Sequence, residues 1–344
     1  MPPCSGRTRR SIEPSGPGAI AARRHGIPAM PELRCAGRRW TVPTDSNLLD
    51  ALTLAGVTVP SSCRAGSCHA CLVRCVAGEP RDLQPELLRP EQREAGWRLA
   101  CQCRVDGDLS LEVFDPRRDG LATRVQSLER LGADVLRLRL LPERPLRYRA
   151  GQHLLLWTAA GVARPYSLAS LPNEDPWLEF HIDSSRPGAF CDFARELRPG
   201  DLLRLGELHG GALHYEPEWC ERPLLLLAAG TGLAPLWSLL RESLRQGHRG
   251  PIRLLHVCRQ GHYLKEPLQA LARAHDNLQL EWISHEERDR MLSTLRPTSR
   301  RDVALVCGGP SFVDVCARRL YLAGLPRGQI FGDAFIGANQ AGVS

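Results

Sequence analysis

Three cysteines on one short stretch, Cys63, Cys68 and Cys71, are spaced C-x4-C-x2-C, and a fourth, Cys101, follows after 29 intervening residues. This is the spacing of a plant-type 2Fe-2S ligand set, in which three thiolates share a loop and the fourth comes from a distant segment. Such a loop has to wrap tightly enough for backbone N–H groups to reach the bridging sulfides, and Ala65, Gly66, Ser67 and Ala70 keep it free of bulk. A structural zinc site is the alternative. Cys4 zinc sites pair C-x2-C knuckles at both ends, whereas here one end carries an extra C-x4 arm and the other offers only Cys101-Gln102-Cys103. Spacing alone leaves Cys103 as an alternative to Cys101. His69, between two ligands, is expected to point outward beside an open cluster edge.

A chain of 344 residues with 43% hydrophobic composition has room for two or three domains. Its longest purely apolar run, Leu224 to Ala229, falls far short of the roughly 18 to 20 residues of a membrane-spanning helix, so the chain reads as soluble, cytoplasmic and without a membrane partner. Of the formal charge of +7, residues 1–29 supply +4 through five arginines and one glutamate. The remainder is too weak a field for nucleic acid, which is excluded as a partner. Residues 1–29 are rich in Arg, Gly and Pro and lack a continuous apolar segment, which reads as a disordered extension rather than a signal peptide, with Met30 as a plausible beginning.

The pattern changes twice after that. Glu32 to Val42 alternates like a hairpin, Asn47 to Ala55 reads as a helix capped by Asp45 or Ser46, and strand-like alternation returns from Trp97 to Val113. Phe114 to Gly120 has the composition of a linker. From Ala122 to about Arg222 the period is mostly two, interrupted by turns at Pro142, Gly161, Pro172 and Gly200, as in an antiparallel barrel. After Pro223 the order becomes buried strand, glycine turn, helix, at Leu224–Arg245 and again from Ile252 and Val303, which gives a mainly parallel α/β sheet. The expected units are therefore 30–117, 121–221 and 222–344.

The second unit carries Arg164-Pro165-Tyr166-Ser167-Leu168-Ala169-Ser170, one cation, one aromatic ring and hydroxyls on a strand. An arginine fork neutralises pyrophosphate and a tyrosine face stacks on a flat ring. Pro187-Gly188-Ala189-Phe190-Cys191 then opens a helical stretch whose free N–H groups suit a second phosphate. In the third unit Gly230-Thr231-Gly232-Leu233-Ala234-Pro235 follows a buried strand and precedes a helix, so backbone can approach a dinucleotide pyrophosphate. Cys307-Gly308-Gly309-Pro310 ends a later strand, and both turns belong at the sheet's carboxyl edge.

Taken in order, these motifs resemble the ferredoxin–NADP+ reductase superfamily, in the arrangement with an N-terminal ferredoxin domain found in oxygenase reductases, over about residues 32–335. The resemblance implies a β-grasp ferredoxin, an antiparallel flavin-binding β-barrel and a parallel-sheet nucleotide-binding domain. It implies Cys63, Cys68, Cys71 and Cys101 as cluster ligands, and FAD held by Arg164, Tyr166, Ser167, Ser170, Gly188 and Cys191. Gly230, Thr231, Gly232, Cys307 and Gly308 would meet NAD(P)H, with Ser167 near flavin N5, Cys307 near nicotinamide C4 and Phe335 over the flavin. It further implies hydride transfer from NAD(P)H, with NADH as donor, and electron delivery to an oxygenase component. A dehydrase that deoxygenates a nucleotide sugar is the alternative partner, and a zinc-stabilised binding module without turnover is the alternative from another class. Two departures stand out: Cys191 replaces the usual Ser or Thr, and Glu207-Leu208-His209-Gly210 stands where the family has Gly-Pro-x-Gly.

Overall fold

In the N-terminal third, alternation builds strands with one buried edge, as in Glu32–Cys35, where Leu33 and Cys35 are buried and Arg34 is exposed. A computed structural model describes residues 30–210 and 212–336; the expected extension over residues 1–29 lies outside them. Five strands make the first sheet, in the order Arg38–Thr41, Glu32–Cys35, Leu109–Val113, Leu72–Ala77, Trp97–Leu99. Glu32–Cys35 runs parallel to Leu109–Val113, and its other neighbour is the antiparallel hairpin strand. The helix Leu48–Leu54 buries Leu48, Leu49, Ala51 and Leu52 against this sheet in a β-grasp arrangement. Its cap is Asn47 rather than Asp45 or Ser46, because the Asn47 side chain accepts from Asp50 N–H.

The second sheet has six antiparallel strands, in the order Ala163–Ser167, His153–Trp157, Leu202–His209, Leu121–Arg130, Val135–Pro142, Leu178–Asp183. It curls until Ala169 N–H, just past one edge strand, donates to Glu179 O on the other at 2.8 Å. This half-barrel encloses Leu138, Leu140, Leu154, Leu156, Phe180 and Ile182. Its outer face packs on the first sheet through Leu155 and Trp157, and Trp157 stacks on Phe114 with ring centroids 5.3 Å apart. The expected linker contains one short helix, Pro116–Asp119, capped by Asp115.

The third sheet is fully parallel, in the order Leu278–Ser284, Ile252–Cys258, Leu224–Ala229, Val303–Gly308, Ile330–Ala334. Chain direction around the sheet reverses between Leu224–Ala229 and Val303–Gly308, and a crevice opens at the carboxyl ends of strands at such a switch point. Both glycine turns lie there. No helix among the described residues is long and apolar enough to cross a membrane.

Candidate functional site

The cysteine loop folds into two thiol pairs. Cys63 hydrogen-bonds Cys68 and Cys71 hydrogen-bonds Cys101, and in each pair the accepting thiol is held low, Cys63 at about 4 and Cys101 at about 7, while its partner is pushed up. Ala65 and Cys68 N–H groups both donate to Cys63 Sγ at 3.3 Å, and Gln102 Nε2 donates to Cys101 Sγ at 3.2 Å. Among the described residues no three ligands converge on one point as a single ion requires, and two pairs with N–H donors aimed at sulfur fit two irons rather than one zinc. Cys103 is fully buried in a strand, and Cys101 is the thiol beside Cys71.

His69 does not point outward. It is only 7% exposed, and its ring packs tilted against His209 of the half-barrel with centroids 3.7 Å apart. Its backbone is left-handed, φ 55°. Burial, and secondarily His153, holds it at about 4. His209 is likewise held well below its usual value by burial and then by His69, so the rings meet uncharged.

Arg164 lies half-buried on the edge strand; its Nη1 donates to Ala163 O at 2.7 Å, and it makes no ion pair among the described residues. A guanidinium without a carboxylate beside a shielded tyrosine fits an anionic, flat dinucleotide. Tyr166 packs on Phe190 at 5.0 Å, and burial followed by Cys191 pushes its hydroxyl well up. Gly188 N–H donates to Asp192 Oδ2 at 3.1 Å, and Cys191 Sγ donates to Asp183 O at 3.1 Å. Ser167 is buried and sits in register opposite His153. Ser170 is fully buried, and its oxygen accepts from the Tyr148 hydroxyl at 2.8 Å and from Glu179 N–H at 3.1 Å.

The two glycine turns touch. A Cβ on Gly232 would lie 2.2 Å from Cys307 O, so only glycine permits this approach. Cys307 is fully buried, which pushes its thiol up, and Gly308 O accepts from Phe335 N–H at 2.8 Å. Thr231 is half-buried in the same turn. Half-buried Phe335 packs against the core of the parallel sheet.

Several site residues carry no motif. His153 and Asp333 feel each other's charge, with Asp333 raised by burial and held back by His153. Buried His181 spans two units, with Nδ1 3.3 Å from the Tyr263 hydroxyl and Nε2 3.1 Å from Glu179. Burial would raise Glu179, but His181 and Arg139 hold it at about 2. The only sequence signal for these groups is a polar residue at a buried position of an alternating strand.

Buried His256 donates through Nε2 to Gly230 O at 3.1 Å, which fixes the first glycine turn. Burial, aided by His262 and opposed by the Gly230 contact, holds it at about 4, so the folded protein refuses a proton that the unfolded chain binds below 6.5. This contribution to stability is complete above pH 6.5 and is lost as pH falls towards 4. His256→Gln keeps a donor and cannot titrate, so it is expected to flatten the acid limb of unfolding free energy by up to about 1.4 kcal/mol per pH unit. Denaturant melts from pH 7 to 4 measure this; parallel limbs for wild type and variant would refute it.

Residues 33–106 match the 2Fe-2S iron-sulfur cluster binding domain, and residues 226–318 match the oxidoreductase NAD-binding domain. A reductase component from Ralstonia sp, the ferredoxin–NAD(P)+ reductase of naphthalene 1,2-dioxygenase and salicylate 5-hydroxylase systems, is 31% identical over 85% of this chain and 94% of its own. The chain belongs to the ferredoxin–NAD(P)+ reductase family. The corresponding component of the Pseudomonas putida naphthalene 1,2-dioxygenase system is 29% identical over 84% of this chain and 93% of its own. In fold, the reductase is similar to the Amycolatopsis cytochrome P450 reductase GcoB, with a TM-score of 0.62 at 24% identity over 90% of this chain and 99% of that one. Its matched domains are those that hold a 2Fe-2S cluster and a nicotinamide nucleotide.

Proposed function

We propose that this reductase is the electron-transfer component of an oxygenase system, with NADH as donor, working in the cytoplasm where that nucleotide pool lies. Three units divide the work: 30–117 for the cluster, 121–221 for FAD and 222–344 for the nucleotide. One hydride brings two electrons, and FAD supplies the switch that lets them leave singly. The residues bind, orient and exclude water. Cys63, Cys68, Cys71 and Cys101 hold the cluster. Arg164 neutralises the FAD pyrophosphate with help from Gly188 and Cys191, Tyr166 gives the stacking face, and Ser167 and Ser170 complete the strand. Gly230, Thr231 and Gly232 admit the nucleotide phosphates against Cys307 and Gly308, and Phe335 closes the flavin side.

The observation that carries the reading is the meeting of all three units at the cluster loop. Ser62, next to Cys63, donates to Ile336 O at 3.0 Å just past the last parallel strand, while the His69 ring packs on His209 of the half-barrel. Anaerobically purified protein is expected to be red-brown, with iron, sulfide and FAD near one cluster and one flavin per chain. Its NADH-driven electrons should support an oxygenase component. Colourless, zinc-containing protein would overturn the reading, and delivery to a nucleotide-sugar dehydrase but to no oxygenase would replace the partner.

A further inference from the structure

Strand register places His209 opposite His153 and His153 opposite Ser167, so these three residues form a row across adjacent strands of the half-barrel. At the outer end the His69 ring from the cysteine loop packs tilted against His209, and His153 lies 5.8 Å from His209, ring to ring. The cluster-loop contact and the serine of the flavin strand are therefore linked by strand register through His209 and His153. A second contact lies beside it, where Glu207 accepts from Gln92 and pairs with Arg89 at 3.5 Å. Glu207 and His209 are the residues at which this chain departs from Gly-Pro-x-Gly, and both face the ferredoxin unit. The left-handed backbone at His69, in a residue that is not glycine, persists where packing holds it.

We propose that His69 and His209 are positioning residues that clamp the cluster loop onto the flavin strand through His153 and set the rate at which a single electron passes from reduced flavin to the cluster. No atom is transferred across the row. The electron lost by the flavin is the one gained by the cluster. The inference rests on the electron path proposed above.

The test uses the full chain loaded with iron and FAD, as wild type, His69→Ala and His69→Phe, mixed anaerobically with NADH. Flavin bleaching and cluster reduction are followed separately, and protease cleavage near residues 115–120 is measured in the resting protein. Flavin bleaching is expected to stay within about twofold, as for a distant site. Cluster reduction should slow at least about tenfold in His69→Ala, since positioned reactions lose that much or more from displacements of about an ångström. Cleavage should accelerate in His69→Ala, and His69→Phe, which keeps a ring, should restore both readouts. Wild-type cluster reduction in His69→Ala, or a Phe variant as impaired as Ala, overturns the proposal. If His69→Ala fails to assemble its cluster, His209→Ala and His209→Phe carry the same comparison from the opposite side. Loss of FAD from both His209 variants would make His209 a flavin ligand and overturn its positioning role. Wild-type protein without iron or FAD would instead defeat the functional reading itself.

Discussion

Cys63→Ser and Cys101→Ser are each expected to abolish electron delivery to acceptors that take electrons only from the cluster, while NADH still bleaches the flavin. The two residues belong to different thiol pairs, Cys63 with Cys68 and Cys101 with Cys71, so on the proposed ligand set each substitution would remove a ligand from a different iron. A hydroxyl is harder and less readily ionised than a thiol and is a poor replacement for thiolate at iron. Residues that only support a metal's ligands cost about ten- to a hundredfold when lost; loss of the ligand itself should cost about a hundredfold or more. The flavin motif and glycine turns sit in other sheets, so hydride transfer should change by no more than about twofold. Rapid-mixing absorbance at flavin and cluster wavelengths, with iron analysis, separates the two steps. A folded Cys63→Ser protein that cannot accept hydride would contradict the division of labour.

A preference for NADH over NADPH is expected, with the residual use of NADPH depending on Arg259. Two cations, Arg259 and Lys265, and the imidazole of His262 follow the strand Ile252–Cys258, at the edge where an α/β sheet meets the adenosine ribose. His262 Nδ1 lies 3.3 Å from His256 Nδ1, and the Lys265 ammonium sits 5.9 Å over the Trp282 ring. Arg259 is exposed and has no hydrogen-bond or ion-pair partner among the described residues. The turn that carries it is closed by Cys258 Sγ donating to Gly261 O at 2.9 Å. A charge-assisted contact to a 2′-phosphate is worth about 1.5 to 3 kcal/mol, so Arg259→Ala should lower kcat/KM for NADPH about ten- to a hundredfold. NADH lacks that phosphate and should be unaffected. Equal losses for both nucleotides would reduce Arg259 to a strand cap, and a wild type favouring NADPH tenfold would reverse the donor assignment.

The spacing of Cys63, Cys68, Cys71 and Cys101, the alternation from Ala122 onward and the strand–turn–helix order after Pro223 were enough to divide the chain and to propose its cofactors. Those features are local: covalent geometry, strand period and glycine turns act over a few residues, and they leave the same signature wherever the segment lies. Which thiol faces Cys71, which cation stays free after Cys258 and where His69 turns are not local questions. Burial of His69 is decided by His209, 140 positions away in the chain, because it is the half-barrel packing on the cysteine loop that takes the imidazole out of water. Sequence alone marked Glu207 and His209 only as a departure from Gly-Pro-x-Gly. The tertiary structure gives them a neighbour, since the ferredoxin unit brings Arg89 and Gln92 against one and His69 against the other, and packing between separately patterned units decides what a polar side chain at the end of a strand contacts.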